Sequence, residues 1–120
     1  MTIKQFLTTL LIVVATSHSA EATSAGSGYV QDVFGTNTGA VLFSLVDENG
    51  VLLTRTNLPS CATTQPGRWA IDATAPGGQA AADFLYKLWS THAQIGGIVG
   101  TGTCTVWVDT ETVVWFGPSH

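Results

Sequence analysis

A chain of 120 residues with a formal charge of −4, in which only 10% of residues are charged, has room for one domain and no clustered Lys and Arg to neutralise phosphates. Nucleic acid and anionic lipid are therefore excluded as partners. An apolar share of 45% with 13 Gly and four Trp calls either for a tightly folded core or for apolar surface hidden against copies of the same chain, and the second alternative is a homo-oligomer.

The chain opens with Lys4 and an almost uncharged apolar run from Phe6 to Ala15, which predicts an export signal over residues 1–22. A run of about ten residues is too short to span about 30 Å of hydrocarbon. Ala20 and Ala22 place an A-x-A cleavage site before Thr23, with a cut near Ala20 as the alternative. The expected location is secreted or periplasmic, with no membrane span. Residues 23–28 are small and polar and read as a flexible lead-in, followed by a single domain over 29–120.

Tyr29 to Phe34 is rich in β-branched and aromatic residues and predicts a strand ending at the turn signal Gly35-Thr-Asn-Thr-Gly39. In the next strand, Ala40 to Val46, the residues Val41, Phe43 and Leu45 share one face. Asp47-Glu-Asn49-Gly50 is a hairpin signal that predicts a returning strand over Val51 to Thr56. Asn57 to Gly67, with Pro59 and Pro66, reads as a loop, and Arg68 to Ala73 alternates again with Trp69 and Ile71 on one face. One helix is expected from about Ala75 to Ala93, with Thr74 as N-cap, Pro76 in its first turn, and Ala81, Phe84, Leu85 and Leu88 as its apolar stripe, widened by Trp89 and Ala93. Gly96-Gly97 would end it. Ile98-Val99, Thr103 to Val108 and Thr112 to Phe116 then read as strands, with Asp109-Thr-Glu111 as the last connector.

Strands, one helix, then more strands is the order of an OB-fold-like small Greek-key barrel whose helix plugs one end. A two-layer α+β sandwich gives the same string. The two cysteines, Cys61 and Cys104, both follow the leader, and in an oxidising compartment they are expected to pair. Closing a loop of that size restricts the unfolded chain by about 4 kcal/mol in the chain-entropy model.

Few residues carry chemistry. The glycines of Gly96-Gly97-Ile-Val-Gly100-Thr-Gly102 follow a helix and lead into a strand, opposite to the order of a phosphate loop, so they are read as turning and close packing. His92 stands alone near the helix end, without a triad pattern around it. Neither cysteine has a short-range partner for zinc, so no metal and no cofactor is expected. Asp109 and Glu111, two apart in an extended segment, would point the same way. Trp69 and Trp89 are expected in packing, whereas Trp107 lies opposite Cys104, Val106 and Val108 on its strand. The candidate ligand-binding set is thus Trp107, Asp109 and Glu111, with no catalytic residue assigned; a small secreted enzyme using Asp109, Glu111 or His92 is the alternative, and an envelope structural or interaction protein is a third reading.

The stretch from Cys61 to Phe116, above all R68-W-A-I-D72 and G100-T-G-T-C104-T-V-W-V-D-T-E111, resembles a family of short exported bacterial proteins that are themselves mostly uncharacterised. In layout the chain is also remotely similar to the receptor-binding B subunits of subtilase cytotoxin and the pertussis-like toxins, with a Phe116-Gly-Pro118 ending like theirs. That resemblance implies an OB-fold, a ring of five identical subunits, and a glycan or protein receptor, sialylated glycans among them, for a chain that need not be an enzyme. It carries over no sugar-contacting residue.

Overall fold

The computed structural model describes residues 23–118, and the leader expected over 1–22 lies outside them. Within them are six strands and one α-helix: β1 Ser24–Ala25, β2 Gly28–Gly35, β3 Ala40–Val46, β4 Arg68–Asp72, α1 Gly78–Ser90, β5 Gln94–Gly100 and β6 Glu111–Pro118, with a 3-10 turn at Ser60–Ala62. Antiparallel pairs join β2 to β3, β3 to β4, β5 to β6 and β2 to β5, and a parallel pair joins β4 to β6, so the hydrogen bonding runs round a closed ring. β1 and β2 lie end to end along the same strand, β5. The ring, with its helix between β4 and β5, is the OB-type barrel read from the order of elements.

Closure bends the strands, and the bending is concentrated at irregularities in register. One falls between Gln31 and Phe34 in β2, where Asp32 adopts φ 53°, and two more interrupt the β5–β6 pair. The barrel interior is filled by alternate residues of the strands, Val41, Phe43 and Leu45 of β3 and Trp69 and Ile71 of β4 among them. The Ala82, Leu85 and Leu88 side of α1 packs into the same core, with Ala81 and Phe84 half-buried beside it. Leu85 and Leu88 of the predicted stripe are core and Ala81, Phe84 and Ala93 flank it, but Ala82, outside that stripe, is also buried, and Trp89 points outward.

Every residue of β3 is buried, which a barrel strand with one solvent face would not show. The reason is a second, smaller core on the outside of the barrel. Ala40, Leu42 and Ala70 are covered there by Val106 and Trp107 from the segment 101–110. The Cys61–Cys104 disulfide ties that segment to the 57–67 loop, and the Arg68 guanidinium binds Asp109 at 2.6 Å and Thr110 at 2.9 Å.

Several expectations need correction. Thr103 to Val108 is not a strand: it is the irregular cover just described, held by backbone bonds between Thr112 and both Thr101 and Thr103 and by the hydroxyls of Thr105 and Thr112. The return after Asn49-Gly50 is reduced to one bridge, Val46 to Leu52. The turn itself forms, with Asp47 accepting from the N–H groups of Asn49 and Val51, but β3 is already paired with β4 from Ala40 through Ser44, so only its last residues have a free edge for a third partner. Residues 23–28, expected to be loose, instead supply β1 and a buried Thr23.

The helix is shorter than the periodicity suggests. Gly77, at φ 78°, replaces Thr74 as the N-cap residue, because Thr74 is turned back onto the Asp72 carboxylate. At the other end His92, not Gly96-Gly97, takes the left-handed conformation at φ 52°. Its N–H donates to the Trp89 carbonyl and that of Ala93 to Leu88, the paired bonds of a Schellman ending that usually needs glycine. The His92 ring stacks on Tyr29 at 4.5 Å, which anchors a residue in a conformation it seldom adopts.

Candidate functional site

The three residues expected to bind ligand do not converge. Glu111 opens β6 with its side chain turned into the barrel end and fully buried. There it accepts from the Thr23 hydroxyl at 2.5 Å, from the Gly102 N–H at 2.9 Å and from Arg55 Nη2 at 3.3 Å. The Arg55 guanidinium lies 3.6 Å above the Trp69 ring, and burial lowers its pKa while Glu111 raises it. Asp109 lies outside the barrel on Arg68. The two acids diverge because Trp107 to Thr110 forms a turn, closed by the Thr110 N–H on the Trp107 carbonyl, so the two-residue repeat of extended chain does not apply. Trp107 is half-buried over the outer core.

Gly100 and Gly102 serve the buried acid, as close-packing residues rather than as a phosphate cradle. A side chain on Gly100 would run into the Glu111 carboxylate and the Trp69 ring, and Gly102, at φ 80°, presents its N–H to that same carboxylate. His92 is committed to its helix end and to Tyr29. Among the described residues no group of three or more His, Cys, Asp or Glu is placed to hold a metal ion.

In many OB barrels the ligand lies on the outer face of the second and third strands, here β3 and β4. In this chain that face is occupied by its own 101–110 segment, with Trp107 and Val106 where a ligand would rest. The open surface is elsewhere. β4 and β6 pair only at Trp69–Glu111 and Ala70–Thr112 and then diverge. The start of α1 sits in the resulting gap, and between helix and strand lies a cleft of about 610 Å³, within the range of small-molecule sites.

Phe84 and Phe116, stacked at 5.6 Å, form part of its lining, with Val106, Val114 and Trp115. Trp115 is 56% exposed. Asp72, the last residue of β4, also lines it. Its Oδ1 accepts the Thr74 N–H at 3.0 Å and the Thr74 hydroxyl at 2.5 Å, and these bonds hold its pKa below the usual carboxylate value. Thr74 thus favours the charged form of the carboxylate, and Oδ2 lies outside that pair of bonds.

Sequence reasoning missed both Arg55 and Trp115. Arg55 is one of very few cations in an uncharged stretch, which is itself a sign of a structural partner; Trp115 sits in an apolar run where alternation does not distinguish inside from outside. No family model matches the chain, and no curated protein matches it.

Proposed function

We propose that this protein is an exported, non-catalytic binding module that holds a glycan in the cleft between α1 and β6. The observation that carries the reading is Trp115, a large exposed aromatic at a formed, mainly apolar cleft. A pyranose presents an apolar face of C–H groups that packs on an indole, and ring hydroxyls that need acceptors nearby. Export is supported by the leader-like sequence before Thr23 and by the Cys61–Cys104 disulfide, which persists in oxidising compartments. Among the described residues no helix is long and apolar enough to cross a membrane.

The non-catalytic part of the reading is supported by where the acids have gone. Glu111 is spent on Arg55 and Asp109 on Arg68, and neither lines the cleft. A glycan array on the mature protein, with Trp115→Ala as control, tests the proposal. Binding by the parent and at least tenfold weaker binding by the variant, at unchanged melting temperature, is expected; a parent silent on all glycans sinks it.

Exposed Phe34, Val108 and Val114 favour a second reading in which the same module also meets a protein partner or its own copies. Light scattering on the mature chain decides the copy number, five in the toxin-like version.

A further inference from the structure

Given a glycan in the α1–β6 cleft, we infer that its sugar is uncharged or cationic and that Asp72 is the group that selects it. The inference rests on the binding-module reading and adds the charge class of the ligand. Asp72 is the one charged residue among the described residues lining the cleft. β6 contributes Thr112, Val113, Val114, Trp115 and Phe116; the 101–110 segment contributes Thr105 and Val106; the helix and the turn before it contribute only uncharged residues. No Lys or Arg lines the cleft to meet a carboxylate or sulfate. The whole chain, at −4, adds to the same field.

The partial positive charge of the α1 N-terminus is the opposing influence, worth about half an elementary charge. It faces a full carboxylate at Asp72, whose backbone carbonyl also accepts from Ala75 in the turn leading to that helix. With Oδ1 occupied by Thr74, Oδ2 is the acceptor left for a sugar hydroxyl or an ammonium. A hydroxyl donated to an ionised carboxylate makes a charge-assisted bond, stronger than one between neutral groups. An acidic sugar brought to the same place meets like charge with no cation to offset it.

The test uses the full mature protein and calorimetry with four probes: a galactose-terminated oligosaccharide, an N-acetylglucosamine-terminated one, a glucosamine-terminated one, and the sialylated form of the first. The two neutral probes and the amino sugar are expected to bind at least tenfold more tightly than the sialylated one. Asp72→Asn should narrow that gap several-fold by weakening the amino sugar most, and binding of the two neutral probes by the parent should stay level from pH 8 to about 5, where the Asp72 carboxylate is ionised, while the amino sugar gains affinity as its amine protonates over the same range.

Preferential binding of the sialylated probe, or a gap untouched by Asp72→Asn, overturns the inference and leaves the cleft reading standing. Binding of any probe undiminished in Trp115→Ala overturns the cleft reading instead, and failure of every probe overturns both. Should Asp72→Asn fold poorly, Ala80→Lys is read in its place: at an exposed position of the lining on α1 it supplies the cation that the cleft lacks, and it should narrow the same gap by strengthening the sialylated probe.

Discussion

The Glu111 carboxylate has no exposed surface and is held by a hydroxyl, a backbone N–H and a guanidinium drawn from three separate parts of the chain. Breaking a buried pair leaves the survivor charged in a low-dielectric site, a larger cost than the pair's net worth. Glu111→Gln, which preserves shape and strands Arg55, should destabilise by about 3–5 kcal/mol in denaturant titration. Glu111→Gln with Arg55→Met should recover part of that loss, since the uncompensated charge is gone. At the rim, Asp72 answers to pH. Its folded pKa is lowered, so the stabilisation it gives is full above the unfolded carboxylate range and lost as pH falls through the lowered folded value. Thr74→Val should move its titration midpoint upward in an NMR pH series.

At the scale of elements, the 101–110 segment is the part whose structure most depends on remote support. It forms no ladder of its own, and its place over Ala40, Leu42 and Ala70 rests on the disulfide and the Arg68–Asp109 pair. Replacing Cys61 and Cys104 by Ser should lower stability by about 4 kcal/mol in the entropy model. Amide exchange should rise along 101–110 before the barrel strands open, and equal protection in both forms would contradict this. The start of α1 is equally constrained: a Cβ on Gly78 would collide with the Asp72 carbonyl, so Gly78→Ala must shift the helix off β4. A loss of about 1–3 kcal/mol is expected, as for other overpacked sites, with the cleft distorted.

Over the whole molecule, one architectural fact arranges the rest. The parallel β4–β6 pair closes the barrel for only two residues of each strand, and the divergence beyond it creates the cleft where α1 begins. The opposite choice was made on the outer face of β3 and β4, where the chain covers itself. A ligand confined to the cleft should therefore perturb the NMR signals of α1 and β6, Trp115 among them, more than those of Trp107. Movement of Trp107 without Trp115 would put the site on the outer face.

Local sequence determined β2, β3, β4, the Asn-Gly turn, the buried side of α1 and the pairing of the cysteines, because each depends on periodicity, turn chemistry or simple count within a short window. The barrel followed from element order. Tertiary structure alone decided that Val51 to Thr56 finds a free edge only at the end of β3, that Thr103 to Val108 becomes a cover, and that Asp109 and Glu111 part company. Those outcomes turn on which strand edge or sheet face is already taken by residues far away in the chain. The same holds for Trp115 and Asp72, which come to line one cleft only when β4 and β6 separate.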